Sequence, residues 1–297
     1  MKKILTIAMI LCLGLGLVGC SGEKEKVLTI AYAPNESTDQ SADARNGLAK
    51  DLEEVLGVKV KEIQASDYNA IIEALRTGKA DMAYMGAKAI AQAYERAEAT
   101  PVAMKAVNGD KQQAIYHSLF VTSSKNTQIN TIQDIKGKTV AFVDPESTSG
   151  NLVPTSEIIN AFPQENLTFN KIHTNGGFFE AASYSGKHQA GLQAVIKGDV
   201  DVVPISDQIL KSEIKNGNAK ESDVKIIHES DAIPAEGFVV SKDLDKKMKD
   251  TVVDFLLNYD NKEYFKMVIK EESAKFVAAT IEDYQSVIKL NQTLDEK

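Results

Sequence analysis

Hydrophobic positions along this chain follow two alternating periods. Val27-Leu-Thr-Ile-Ala-Tyr32 is apolar and β-branched up to Pro34 and predicts a buried strand followed by a loop. Leu48, Leu52, Val55 and Leu56 then recur at helical spacing, with Gly57 closing the helix. Val58, Val60 and Ile63 predict the next strand. Asp67 is the expected N-cap of a helix whose apolar face is Ile71, Ile72 and Leu75 and which stops at Gly78. A strand over Ala80–Tyr84 and a helix over Ala87–Ala97 complete the series. Strands alternating with helices of this length imply right-handed crossovers and a mainly parallel sheet.

The same pattern restarts further along the chain. Ser118–Val121 predicts a strand, Ile132–Gly137 a short helical turn, and Lys138–Val143 a strand that runs into Asp144-Pro145. Helices are expected from about Gly150 to Asn160 and from His188 to Ile196, the latter ending at Gly198, with a strand over Val200–Ile205. Gly237–Val240 then predicts a strand, and Val252–Leu257, Lys262–Ile269 and Ile281–Leu290 predict helices that return to complete the first unit. The expected architecture is therefore α/β in two lobes. Residues 27–113 and 236–297 form one discontinuous lobe, residues 114–235 form the second, and short hinge strands join them. A ligand would sit in the cleft between the lobes, at the carboxyl ends of the strands, and closure would be a hinge motion.

The first residues add a targeting signal. Lys2 and Lys3 precede an apolar run from Ile4 to Val18, which is too short to span a membrane comfortably. The run ends in Leu17-Val18-Gly19-Cys20 and is followed by the polar Ser21–Lys26, a pattern that resembles a bacterial lipobox. On that reading residues 1–19 are a lipoprotein signal peptide and residues 20–26 a lipidated tether. Cys20 carries diacylglycerol on its thiol, with a further acyl chain such as palmitate on the new amine, which supplies the second chain that stable anchoring needs. The only other cysteine, Cys12, leaves with the signal peptide, so the remaining domain has no disulfide and relies on its core.

Charge narrows the partners. The formal net charge of −8 becomes −10 once Lys2 and Lys3 are removed, which disfavours nucleic acid and requires any anionic ligand to be held by local donors. His117, His173, His188 and His228 show no metal-ligand spacing, and no nucleophile elbow, zincin or phosphate-loop motif is present. No enzyme activity, cofactor or metal is therefore expected.

The stretch with chemical content is Asp144-Pro-Glu-Ser-Thr-Ser-Gly-Asn-Leu-Val-Pro154, between a strand and a helix. A helix start presents unpaired backbone amides and partial positive charge, and so holds anions without a cationic side chain. Ser147, Thr148 and Ser149 add hydroxyl donors, and Gly150 allows close backbone approach. The chain has three arginines, Arg45, Arg76 and Arg96, none near this loop, which fits a tetrahedral oxyanion recognised by neutral dipoles. The alternative is that Ser147 or Ser149 merely caps the helix.

Thr139–Pro154 resembles the signature of the phosphonate-binding proteins of phosphate/phosphite/phosphonate ABC transporters. Ser66-Asp67-Tyr68, Asp81–Gly86, Tyr116–Val121, Gly186-Lys-His188, Val200–Val203 and Ile233–Glu236 match in order over nearly the whole chain after the tether. The resemblance implies a type II periplasmic-binding fold. It places Ser147, Thr148 and Ser149 on the phosphorus oxygens, with Tyr68, Tyr116 and His188 on the surrounding walls. Packing is the competing role for the two tyrosines, and helix capping for His188. Family members that take aminoalkyl phosphonates hold the ammonium with two carboxylates. Glu236 matches one, but the other position falls at Gln208, with Asp207 beside it. An amide does not neutralise an ammonium as a carboxylate does, so Gln208 favours methylphosphonate, phosphite or phosphate, whereas Asp207 would keep an amino-substituted ligand open.

The implied protein is a monomeric extracytoplasmic lipoprotein of the cell membrane that delivers a small phosphorus oxyanion to a permease and its ATPase. Alternatives of the same fold are a binding protein for another small polar solute and a ligand sensor feeding a kinase.

Overall fold

A computed structural model describes residues 26–34 and 39–295, so the expected signal peptide and Cys20 lie outside the described residues. Its first part runs β1 (Val27–Tyr32), α1 (Ala42–Leu56), β2 (Lys59–Gln64), α2 (Tyr68–Arg76), β3 (Met82–Met85), α3 (Ala87–Ala97) and β4 (Thr100–Val107). Next come β5 (Ile115–Tyr116), β6 (Ser118–Ser123), β7 (Thr139–Phe142), α4 (Val153–Ala161), α5 (Phe169–His173) and β8 (Ala181–Tyr184). These are followed by α6 (His188–Lys197), β9 (Val203–Ser206), α7 (Asp207–Lys215), β10 (Val224–Glu229) and β11 (Ile233–Pro234). The chain ends in β12 (Gly237–Val240), α8 (Lys246–Asn258), α9 (Lys262–Tyr264), β13 (Ala274–Ala278) and α10 (Gln285–Asp295).

The local signals act as expected. Gly57 takes the left-handed conformation (φ 66°) that ends α1, and the Asp67 carboxylate accepts from the Ala70 amide at 2.8 Å to start α2. The expected helices over 87–97 and 188–196 and the strand over 237–240 coincide with α3, α6 and β12 to within a residue.

One expectation is corrected. The six-stranded sheet, ordered β13-β4-β12-β3-β1-β2, is mixed rather than mainly parallel. β1 pairs in parallel with β2 and β3, whereas β12 runs antiparallel to both β3 and β4, and β13 antiparallel to β4. The crossover rule governs strands joined through a helix. β12 instead follows β11 directly, with no intervening helix, so that rule does not fix its direction. Apolar clusters lie on both faces of this sheet, one led by Ile71, Ile90 and Leu75, the other by Leu48, Phe238 and Phe276.

In the second sheet, β6 lies between β10 and β9, antiparallel to each, and the Val140–Val202 bridge connects the parallel pair β7–β8 to it. Its helices cover two further clusters, around Phe120, Phe142 and Ile158, and around Val121, Leu192 and Ile205. The chain passes between the sheets twice, and the two crossings pair with each other. Tyr116 of β5 faces Ile233 of β11 in an antiparallel ladder, and the Ala235 amide donates to the Ala114 carbonyl at 2.9 Å. This ladder carries Tyr116 on one strand and leads directly to Glu236 on the other.

Candidate ligand-binding site

Between the sheets lies a cavity lined by Tyr68, Gly86, Tyr116, Ser147, Thr148, Ser149, His188 and Glu236, with about 270 Å³ of atom-free space including its mouth. Seven of the nine residues picked out from the sequence therefore meet at one place. Asp207 and Gln208 are not among the lining residues. The Asp207 carboxylate accepts from the His117 amide at 3.1 Å and pairs with Lys211 at 2.9 Å.

The serine-rich loop leaves β7 and winds through a π-helical turn, Thr148–Leu152, into α4. A Cβ on Gly150 would stand 2.3 Å from a Val143 methyl and 2.8 Å from the Ser147 hydroxyl, so only glycine allows the turn to close against the strand. Its amide donates to Ser147 Oγ at 3.1 Å, which makes Ser147 a true cap. Capping and ligand contact are compatible, because the hydroxyl oxygen accepts from the backbone while its proton points elsewhere. Thr148 repeats the arrangement across the cleft, with Oγ1 accepting from the Lys88 amide at 2.8 Å. Gly86 makes room for it, since a Cβ there would lie 3.2 Å from Thr148 Oγ1.

Tyr68 and Tyr116 are 4% and 3% exposed, and each adds an apolar wall with a polar tip. The Tyr116 hydroxyl is hydrogen-bonded with Ser149 and Thr148. Burial, and then the charge of Glu236, raise its pKa well above the ordinary phenol value, so it stays neutral. His188 is the first residue of α6, but Lys187 holds the N-cap position and makes no side-chain cap. The His188 ring instead accepts at Nδ1 from the Ser206 amide at 3.3 Å. That bond assigns the proton of the neutral ring to Nε2. Burial lowers the imidazole pKa to about 3, so the ring is an uncharged donor at physiological pH.

Two buried lysines stand behind the lining residues, and sequence reasoning missed both. Lys88, 7% exposed, sends Nζ to the Pro145 carbonyl at 2.6 Å and to Glu146 at 3.5 Å, tying α3 to the serine loop. Lys105 on β4, 5% exposed, pairs with Glu236 and donates to Gln208 Oε1. Lys88 lies in an alanine-rich helix and Lys105 in a continuously apolar strand, and no local signal marks the partner of either one. None of the three arginines contributes. Arg45 is paired with Glu62, while Arg76 and Arg96 both hold Glu73. Among the described residues no group of three or more His, Cys, Asp or Glu could hold a metal ion. The site thus offers several neutral donors around a small volume, an arrangement suited to a compact oxyanion.

Comparisons with known proteins converge. Residues 30–284 match the family model described as "ABC transporter, phosphonate, periplasmic substrate-binding protein". The phosphate-import protein PhnD of Mycolicibacterium smegmatis is 30% identical over 84% of this chain and 79% of its own length. The phosphonates-binding periplasmic protein of Escherichia coli is 30% identical over 80% of this chain and 67% of its own. The fold is similar to that of PhnD1 from Prochlorococcus marinus, solved in complex with methylphosphonate, with TM-score 0.77 and 22% identity over 92% of this chain and 100% of that one. Such proteins are substrate-binding components rather than enzymes, and this chain belongs to the family of periplasmic substrate-binding proteins of ABC phosphonate transporters.

Proposed function

We propose that the chain is the lipid-anchored, extracytoplasmic binding protein of an ABC importer, and that it captures methylphosphonate, phosphite or phosphate and delivers it to the permease and its ATPase. The observation that carries this reading is the ring of neutral donors, Ser147, Thr148, Ser149, Tyr116 and His188, around one small cavity. Charge-neutral donors gathered around one small space suit a tetrahedral oxyanion whose several oxygens each accept. The names of the two relatives, a phosphate-import protein and a phosphonates-binding protein, agree with this ligand class. Lobe boundaries at 113/114 and 235/236 fit the paired crossing strands, whose few hydrogen bonds are suited to hinge bending. Anchoring through Cys20 rests on the lipobox-like Leu17–Cys20, and a monomer is sufficient because the cavity is complete within one chain.

Titration calorimetry of the purified protein against phosphate, phosphite, methylphosphonate and 2-aminoethylphosphonate tests the reading. Tight binding of one of the first three, abolished in the Ser147→Ala/Thr148→Ala double variant, is expected. No binding of any of the four by folded, ligand-free protein would remove the phosphorus assignment.

A further inference from the structure

Glu236 is the one carboxylate among the residues that line the cavity. A buried carboxylate facing an anionic ligand repels it and is itself costly to leave unpaired. Here the carboxylate is matched from within the chain. Lys105 projects from β4, where Val102, Ala103, Met104 and Ala106 are also buried, and its ammonium pairs with Glu236. The two side chains are 6% and 15% exposed. Gln208 accepts from the same ammonium, and the Tyr116 ring lies 5.8 Å away at its centroid. The backbone fixes the partners too, because the Lys105 amide donates to the Glu236 carbonyl at 3.0 Å. Behind the pair, a second small compartment is lined by Tyr84, Lys105, Ser206, Gln208, Glu236 and Lys270, among others. Its other charged group is again a lysine.

We infer that Lys105 determines which substituent the ligand carries: its ammonium occupies the place at Glu236 that a cationic group on the ligand would otherwise take. The cleft then accepts an oxyanion bearing hydrogen, hydroxyl or a small alkyl group, and rejects an amino-substituted one. An incoming ammonium would meet a carboxylate already neutralised and a lysine of its own charge beside it. The assignment rests on the phosphorus-oxyanion reading above and deepens it. Gln208 follows from the same arrangement, since a neutral amide can accept from Lys105 without adding a second negative charge next to the ligand.

Calorimetry with methylphosphonate and 2-aminoethylphosphonate on wild type, Lys105→Ala, Glu236→Gln and the double variant tests this, with circular dichroism verifying the fold. Wild type is expected to favour methylphosphonate by about a hundredfold or more. In Lys105→Ala the preference should shift by at least about tenfold toward the amino compound, because Glu236 is left to bind its ammonium. The double variant, with no carboxylate to bind it, should lose that gain. Glu236→Gln reads the pair from the other side and serves if Lys105→Ala does not fold. It frees the lysine charge, so methylphosphonate should bind several-fold tighter while the amino compound is still rejected. An unchanged ratio in Lys105→Ala, or weaker methylphosphonate binding in Glu236→Gln, overturns the role of Lys105 while leaving the ligand class standing. Wild type that binds 2-aminoethylphosphonate as well as methylphosphonate also overturns it. Wild type that binds no phosphorus oxyanion fails the ligand class, and the role of Lys105 falls with it.

Discussion

The Lys88 backbone amide donates to the Thr148 hydroxyl across 2.8 Å, and the two residues belong to elements packed around opposite sheets. One side chain therefore does two jobs. Its oxygen satisfies a buried amide at the start of α3, and its hydroxyl lines the cavity beside Tyr116, to which it is also hydrogen-bonded. Thr148→Val keeps the shape and removes both functions. Leaving the Lys88 amide without a partner should cost about 1–3 kcal/mol of stability, read as a lower denaturation midpoint. The affinity for methylphosphonate should fall by about tenfold or more in the same variant. Thr148→Ser restores the hydroxyl and should recover most of both.

Histidine burial sets the acid limit. Burial lowers His188 to about 3, and lowers His173, packed against Phe142 and Phe169, to about 4, with Lys88 adding a smaller effect in the same direction. Both folded values lie below the ordinary histidine value of about 6.5, so between there and about 3 to 4 the unfolded chain binds more protons than the folded one. Stability should thus be intact above about pH 6.5 and fall as pH drops below it, by up to about 1.4 kcal/mol per pH unit for each histidine. Thermal melts of wild type, His173→Gln and His188→Gln between pH 4 and pH 7 check this, and each variant should show a shallower slope. A melting temperature independent of pH in wild type would contradict the burial argument.

Gly150 carries a steric prediction. Ala at this position places its Cβ 2.3 Å from Val143, on a β-branched side chain that is itself buried and has nowhere to retreat. Gly150→Ala should destabilise by about 1–3 kcal/mol through overpacking. Because the same amide caps onto Ser147, ligand binding should weaken as well. By contrast, Gly57→Ala meets no neighbouring atom within 4 Å. It should cost only the backbone strain of a positive φ and leave the affinity unchanged, so the pair separates damage to the site from general loss of stability.

These residues show where the sequence was informative. The serine loop was legible because it sits between a strand and a helix start, where special residues have local reasons, whereas Tyr68, Tyr116, His188 and Glu236 were placed only by the family resemblance. Helix α3 was legible because Gly86 and the alanine-rich face bound it on both sides. Strand β4 was not. It carries Pro101 inside the sheet, which ordinarily argues against a central strand. The structure tolerates it through a register shift opposite Phe238 and Val239, where the missing amide falls at an irregularity in the ladder. Lys105 was missed for the same reason that β4 was. Its role depends on Glu236, which only the return of the chain through β11 brings alongside. The strand β13 was hidden between helices, and its residues pair with β4 rather than with any sequence neighbour.

The Lys88 side chain gives the last prediction, and it separates closure from chemistry. Its Nζ reaches the Pro145 carbonyl at 2.6 Å and Glu146 at 3.5 Å, yet Lys88 is not among the residues that line the cavity. Lys88→Met keeps the backbone amide that serves Thr148 and most of the buried stem, and removes only the ammonium. If that ammonium holds the serine loop against α3 in the closed form, its loss lowers the fraction of binding-competent molecules. The apparent affinity should then drop by about the same factor, within about tenfold, for every oxyanion tested. The fall should appear mainly in the dissociation rate, measured by stopped-flow fluorescence, because a loosened closed state releases ligand faster. The order of preference among phosphate, phosphite and methylphosphonate should stay as in wild type. A changed order would mean that Lys88 touches the ligand itself, and an unchanged affinity would mean that the contact contributes nothing to closure.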